Sequence, residues 1–427
     1  MSNDWLQNLP QGWDTIRLKN VVKLKTNRIP GTSKDDGYVG LENIQSWTGK
    51  LLSSETSVAS LEDNDERQNV VNVFDKGDIL FGKLRPYLAK AHLAQYSGIC
   101  STELLVIKPG KRLDPRYFIK TILAKEFIDQ VNAETFGAKM PRADWDTVGN
   151  ISIPLPPLLV QRAIADYLDR EIVNIDARIR LLQQRLALLA EKWRALITHA
   201  VTRGLDPNSP LKDSGVEWIG KVPEGWEVVQ LKLITQKIGS GKTPKGGGEV
   251  YTTKGVPFIR SQNVQFSGLS LDDIVFISET IDQEMLSSRV KSHDVLLNIT
   301  GASIGRCCVV PNGLLQANVN QHVCIIRPQH NVNAEFLNAV LMSDVGQIQV
   351  FLGEVGASRQ GLSFDVLGNF WVSKPTYKEQ GEIVSYLAHR LNTVDRLAAL
   401  TQANIGLLYE RRTALISAAV MGQLYIV

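Results

Sequence analysis

The chain repeats itself, and that constrains its fold more than any other feature of the sequence. Trp5-Leu6-Gln7-Asn8-Leu9-Pro10-Gln11-Gly12-Trp13-Asp14 aligns with Trp218-Ile219-Gly220-Lys221-Val222-Pro223-Glu224-Gly225-Trp226-Glu227, placing Trp13 against Trp226 at an offset of 213. Gly77-Asp78-Ile79-Leu80 aligns with His293-Asp294-Val295-Leu296 at an offset of 216. Gly137-Ala138, Gly149-Asn150, Tyr167-Leu168 and Ala195-Leu196-Ile197 then match Gly356-Ala357, Gly368-Asn369, Tyr386-Leu387 and Ala414-Leu415-Ile416, all at an offset of 219. Order is kept and the offset drifts only through small insertions, so the 427 residues are two diverged copies of one unit.

Each copy opens with an α+β globule. Gly77-Asp78-Ile79-Leu80-Phe81 and Leu104-Leu105-Val106-Ile107 are short apolar, β-branched runs that read as strands, as do Asp294-Val295-Leu296-Leu297 and Val323-Cys324-Ile325-Ile326. Residues 115–132 and 334–352 read as helices, with scattered Gly and Pro marking loops. Hydrophobic residues make up 44% and charged residues 21%, enough to build real cores.

Each copy closes with a long helix. Pro154-Leu155-Pro156-Pro157 is expected to end the first globule, because consecutive prolines continue neither strand pairing nor a helix. From there to Arg203 no Gly or Pro intervenes. Ile172, Ile175, Ile179, Leu182, Leu186, Leu189, Trp193, Leu196 and Ala200 alternate at three and four, a heptad seam. Gly204 caps that helix and Leu205 to Pro210 is a linker. The second helix, about 378–420, has the seam Leu387, Leu391, Val394, Ala398, Thr401, Ile405, Leu408, Arg412, Leu415 and Ala419, weakened by Thr401 and Arg412. Two such stripes bury each other most economically as an antiparallel coiled coil with an internal pseudo-two-fold. Helix flanks carrying Leu181 and Leu188 would remain for partners. The expected domains are residues 1–157, helix 158–205, linker and second globule 206–375, and helix 376–427.

Signatures of chemistry fail one by one. Gly239-Ser240-Gly241-Lys242-Thr243 looks like a phosphate loop, but a glycine is required at Gln236, and Gly246-Gly247-Gly248 falls where a helix should continue. No Gly-x-Ser-x-Gly elbow, His-Glu-x-x-His pair or Asn-Pro-Pro-Tyr motif occurs, and Cys100, Cys307, Cys308 and Cys324 form no Cys-x-x-Cys pair. Asp78 and Asp294 occupy matching positions, where a strand-entry turn is the commoner role than paired catalytic acids. A net charge of +3 excludes a uniformly basic binder but not a local basic face. The N-terminus lacks an apolar core and no stretch is long enough to span a bilayer, so a cytoplasmic protein is expected.

Several stretches together resemble the specificity subunits of type I restriction–modification systems. They are Asp213-Ser214-Gly215-Val216-Glu217-Trp218-Ile219-Gly220 running into Val222-Pro223-Glu224-Gly225-Trp226, Pro154-Leu155-Pro156-Pro157, residues 161–169 (Gln161 to Asp169), residues 195–204 (Ala195 to Gly204) and residues 411–420 (Arg411 to Val420). Ser373-Lys374-Pro375-Thr376 departs from the first copy's proline run, so the second globule's exit is expected to differ. The resemblance implies two target-recognition domains that bind the two halves of a split double-stranded DNA target, and helices that set the gap and dock two modification subunits. It also implies restriction/translocase subunits in the same complex. It implies no cofactor or metal in this chain and no catalysis by it, with S-adenosylmethionine, ATP and Mg on the partner subunits.

Base readers should be polar side chains on Gly-rich loops. In the first globule these are Asn43, Gln45, Lys83, Arg85, Lys139 and Arg142. In the second they are Ser240, Lys242, Thr243, Arg260, Gln262, Asn263, Arg306, Asn320, Gln321, His322, Ser358, Arg359 and Gln360. Gln161, Tyr167 and Glu191 recur as Gln380, Tyr386 and Glu410 in the second helix, which suggests contacts to modification subunits or helix capping and spacing. Two other readings remain open: a coiled-coil adaptor that binds proteins but no DNA, and a duplicated enzyme with an unrecognised site. Salt-sensitive DNA binding and metal-dependent cleavage, respectively, would discriminate them.

Overall fold

The computed structural model describes residues 4–30, 37–52, 70–135, 140–314, 316–355 and 361–426. The chain divides into two compact units: residues up to Gln183 together with those from Ala403, and Gln184–Gln402. Each is one α+β globule plus a stretch of each long helix.

The first unit's main sheet has the order Val22–Lys25, Leu104–Pro109, Ile79–Gly82, Ala91–Leu93, antiparallel throughout. The second unit repeats it as Thr235–Ser240, Val323–Pro328, Val295–Asn298, Cys307–Val309. The inner strands Ile79–Gly82 and Val295–Asn298 are buried along their whole length, which is why their sequences run apolar without alternation. A second sheet packs beside each. In both units it contains a short parallel pair, Tyr38–Val39 with Gly98–Cys100 and Val256–Ile259 with Asn318–Val319.

Strand entry is built alike in both. Gly77 and His293 take left-handed φ values of 90° and 67°. The next residue accepts a backbone N–H three positions back: Asp75 N to Asp78 Oδ2 at 2.8 Å, and Lys291 N to Asp294 Oδ2 at 2.7 Å. Lys25 pairs with buried Asp78 at 2.6 Å, and Arg327 forks onto buried Asp294 at 2.7 Å. Both acids are therefore strand-entry turns with satisfied charges.

Three expectations need correction. Pro154 lies inside a strand: Ser152–Leu155 pairs antiparallel with Asp14–Arg17, with Pro154 opposite Thr15. A two-stranded pairing tolerates this because the missing N–H can face away from the partner. The second globule's exit is also not built differently, since Trp371–Lys374 pairs with Glu227–Gln230 in the same register, Glu227 opposite Lys374 as Asp14 is opposite Leu155. The helices expected over 115–132 and 334–352 are each broken in two, Pro115–Ile122 with Lys125–Ala133 and Ala334–Met342 with Asp344–Val355.

The long helices span Leu158–Arg203 and Tyr377–Val420, 46 and 44 residues, or roughly 65–70 Å each at 1.5 Å per residue. Gly204, at φ 74°, closes the first by donating its N–H to Ala200 O. In the first unit Ile164, Ala165, Leu168 and Ile172 share a core with Ile416, Ala419 and Val420. In the second, Ile197, Ala200 and Val201 share one with Ile383 and Leu387. Within each unit the beginning of one helix therefore lies with the end of the other, an antiparallel pairing. No single helix among the described residues is long and apolar enough to cross a membrane.

Candidate nucleic-acid interface

In each globule three chain segments meet just beyond the inner strand, tied by backbone hydrogen bonds. In the first, Lys83 N donates to Glu103 O at 2.9 Å and Ala143 N donates to Lys83 O at 3.0 Å. In the second, Ile299 N donates to His322 O at 3.0 Å and Leu362 N donates to Ile299 O at 2.8 Å. Positions 83, 103 and 143 thus correspond to 299, 322 and 362. The frame is common to both, but the side chains on its rim are not.

On the first rim Arg142 is exposed and its guanidinium donates to Glu103 Oε1 at 2.9 Å. Glu103 Oε2 is buried without a partner. Lys83 is half-buried and Arg85 exposed, the latter at a left-handed φ of 51° with its N–H on Pro141 O at 2.8 Å. This rim is cationic, with one carboxylate orienting one arginine.

The second rim is a chain of hydrogen-bonded polar groups. Thr243 Oγ1 donates to Gln321 Oε1, Gln321 Nε2 meets His322 Nε2 at 3.0 Å, and His322 Nδ1 meets the Thr300 hydroxyl. Asn320 Oδ1 accepts His322 N at 3.1 Å and so sets the turn. The position matching Arg142 is Gly361, where a Cβ would lie 2.8 Å from Thr300 Cγ2 and 3.0 Å from Ile299 O. Thr300 therefore crowds the place where a side chain at this position would begin. Behind this rim, Asn318 is held by buried Asp282, which also accepts Gln316 and the Arg289 guanidinium. Burial pushes the Asp282 carboxyl up, but these three donors outweigh it and leave it below its ordinary value.

The remaining candidates fall into distinct environments. Asn43 and Asn263 are turn caps: Gly40 N donates to Asn43 Oδ1 at 2.7 Å and Arg260 N to Asn263 Oδ1 at 2.9 Å. Asn263 is 1% exposed with its amide on Ser270 O, which corrects its assignment as a base reader. Gln45 is exposed and takes the Thr48 hydroxyl, and Gln262 is exposed on its own turn. Arg260 donates to Asp273 O at 2.7 Å and lies 5.9 Å from the centre of the Tyr251 ring. Arg306 donates to Gln265 Oε1 at 3.2 Å. Lys242 is exposed, and Ser240 ends its strand with its hydroxyl on Gly241 O. Gly241 is required there because a Cβ would lie 1.6 Å from Val319 O, so this glycine of the phosphate-loop lookalike serves close backbone packing. Lys139, Ser358, Arg359 and Gln360 lie outside the described residues.

Among the helix residues, Gln161 and Gln380 take the capping role rather than that of partner contacts, as internal fasteners. Gln161 is fully buried, accepts Asp114 N at 2.8 Å and donates to Arg112 O and Pro156 O. Gln380 accepts Asn333 N at 2.8 Å and donates to Asn331 O and Pro375 O. Each locks its long helix to the cap of a globule helix, leaving no free amide for a subunit. Tyr167 and Tyr386 are half-buried against the cores, whereas Glu191 and Glu410 are exposed. Glu103, Thr300 and Gly361 were not singled out by sequence. Extending the 219 offset from Arg142 to Gly361 and from Glu103 to His322 is the signal that finds them.

The comparisons with known proteins agree with this layout. The family described as type I restriction modification DNA specificity domain matches residues 10–190 and again residues 223–405. The type I restriction enzyme MjaVIII specificity subunit of Methanocaldococcus jannaschii is 24% identical over 402 residues, spanning 91% of this chain and 87% of that protein. The EcoBI specificity subunit of Escherichia coli is 27% identical over 295 residues, 67% of this chain and 60% of that one. A chain from a structural study of complex assembly and conformational transition of the type I R-M system superposes over 98% of this chain and 100% of its own, with a TM-score of 0.74 at 22% identity. The HsdS subunit of Thermoanaerobacter tengcongensis covers 97% of this chain and 98% of its own, with a TM-score of 0.52 at 23% identity, so the fold is shared. Each copy of the repeat thus carries one match, and the chain belongs to the type I restriction–modification DNA specificity family, with that family's domain present twice.

Proposed function

We propose that this chain gives a type I restriction–modification complex its DNA specificity, each globule reading one half of a split target, and that it contributes no catalytic step itself. The observation that carries this is the common backbone frame with unlike rims. Two equal folds with Arg142 and Glu103 on one, and Gln321 and His322 on the other, suit two different half-sites. Each good bidentate base contact contributes about 1–3 kcal/mol of discrimination, and linking two readers makes the second association intramolecular.

Repeat-related apolar patches support two copies of one partner on the helices. Leu181 and Leu188 correspond to Leu400 and Leu407, and all four are exposed, at 65, 64, 61 and 61%. Leu181 and Leu407 line one groove of about 430 Å³ together with Leu182, Leu408, Arg178 and Arg411. Leucines so exposed on a paired helix favour burial against another protein. The partners this reading assigns there are two modification subunits carrying S-adenosylmethionine. Restriction subunits that use ATP and Mg join them, and the complex works in the cytoplasm.

Co-expressing the chain with its modification subunit in a methylation-deficient host, and mapping modified bases, tests the reading. A new two-part adenine motif that depends on this chain is expected. No new motif, with a modification subunit proven active beside another specificity chain, would overturn it and favour a protein–protein adaptor.

A further inference from the structure

The rim differences say more than that the two half-sites are unlike. A guanidinium offers five N–H donors in a planar fork, and Arg142 has committed part of one edge to Glu103. That ion pair restrains a long side chain that would otherwise be ordered only on binding, which reduces the entropic penalty of recognition. The free edge matches the O6 and N7 acceptors of guanine in the major groove, a pattern no other base pair presents there. Arg142 is 59% exposed while Glu103 is 28% exposed, so the fork projects and the carboxylate supports it.

Gly361 removes this option from the second globule, because Thr300 occupies the space where the arginine would begin. Gln321 is exposed on that rim, and Thr243 beside it is exposed too. A side-chain amide has two N–H donors and two acceptor lone pairs. Thr243 uses one lone pair and His322 Nε2 takes one donor. One donor and one acceptor remain on the same planar group. That is the complement of adenine, which presents the N7 acceptor and the N6 donor. His322 is itself fixed through Thr300 on its other nitrogen, so the amide plane is set by a hydrogen-bonded chain rooted in the frame.

Resting on the specificity-subunit reading above, we infer that Arg142, positioned by Glu103, selects a guanine in one half of the target and that Gln321, positioned by His322, selects an adenine in the other. Glu103 and His322 are positioning residues and do not touch a base.

The test is methylation mapping of the full complex with wild-type chain, Arg142→Gln, Arg142→Lys, Glu103→Gln and Gln321→Glu. Arg142→Gln is expected to loosen one guanine position in one half of the motif by roughly 5- to 150-fold, the ratio for one bidentate contact. The other half should be unchanged. Arg142→Lys keeps the charge without the fork and should loosen the same position. Glu103→Gln should loosen it less, and no other position. Gln321→Glu should act on one adenine of the opposite half. If the wild type gives no motif, the specificity-subunit reading fails, before this inference is reached. If the wild type gives a motif and the variants leave it unchanged, alter both halves together, or all abolish modification, the assignment of Arg142 and Gln321 is overturned.

Discussion

Arg412 interrupts the apolar seam of the second long helix, and its replacement should loosen the first globule's hold on that helix. The side chain is 4% exposed. It donates to Trp47 O at 2.9 Å and Thr48 O at 3.3 Å, and its Nε lies 3.7 Å from Asp176. Lys50, from the same turn, pairs with Asp176 on the first helix, so one short turn is fastened to both helices. Burial pushes the guanidinium pKa down, and the neighbouring Asp176 carboxylate opposes that push without cancelling it. Arg412→Ala removes both donors. Each buried carbonyl left unpaired costs about 1–3 kcal/mol. A groove of about 980 Å³ opens beside this turn, lined by Gln45, Trp47, Arg412 and Ser417. Water entering it recovers part of the loss, so the net destabilisation expected is about 2–4 kcal/mol. Urea unfolding gives the total, and amide exchange locates it. The Gln45 and Trp47 amides, bonded to Lys50 O and Ala89 O, should lose protection first. Arg412→Lys should recover little, because an ammonium cannot bridge two carbonyls as a fork does. A change below about 0.5 kcal/mol, the range of ordinary surface substitutions, would refute the anchoring role. So would equal loss of protection at Val264–Gln265 in the second globule.

Three further outcomes are expected. Gln161→Ala should destabilise the first unit by about 1–3 kcal/mol, because Asp114 N, Arg112 O and Pro156 O lose their partner together; thermal or urea melts measure this, and Gln380→Ala should do the same to the second unit. His293→Gly should stabilise, by about 1 kcal/mol, since it relieves a left-handed φ of 67° at the site where the first copy has Gly77; a lower melting point would show that the His293–Glu335 contact at 3.3 Å outweighs the backbone. His92 is buried with Nδ1 on Gly49 O at 2.8 Å, and burial holds its pKa below the ordinary value. The unfolded chain then takes up this proton more readily, so stability should fall as pH drops below about 6.5 towards the depressed folded value. His92→Gln, which keeps a donor but cannot titrate, should flatten that slope in denaturant melts run between about pH 5 and 7.

The long helices were legible because a run without Gly or Pro carrying a three-and-four seam has few other solutions. Their ends were expected within three residues of Leu158–Arg203 and Tyr377–Val420. The repeat was equally plain, but it reported shared roles without saying which. Gln161 and Gln380 recur because each closes an internal junction, not because a partner needs them. Asn43 and Asn263 recur because an amide caps the same turn. Polar side chains on loops look alike in sequence whether they face solvent or their own backbone, and only the fold separates Asn263 from Gln321. The break between Pro115–Ile122 and Lys125–Ala133 was hidden because no Gly or Pro marks it. The pairing of Arg142 with Glu103 was out of reach because it joins residues brought together by the sheet rather than by the chain.

The frame that joins Lys83, Glu103 and Ala143, and likewise Ile299, His322 and Leu362, is held by main-chain hydrogen bonds, and the Arg142–Glu103 and Thr300–His322 side-chain contacts lie above it. Main-chain bonds are indifferent to which side chains stand above them, so rim positions other than a glycine set against the frame, such as Gly361, can mutate without the scaffold noticing. Duplication adds a second freedom, because each half of the target can drift while the other keeps the old recognition. A lineage built this way can acquire new addresses in single steps. Selection for novelty then falls on a few exposed positions, and selection for persistence on buried ones such as Gln161 and Gln380.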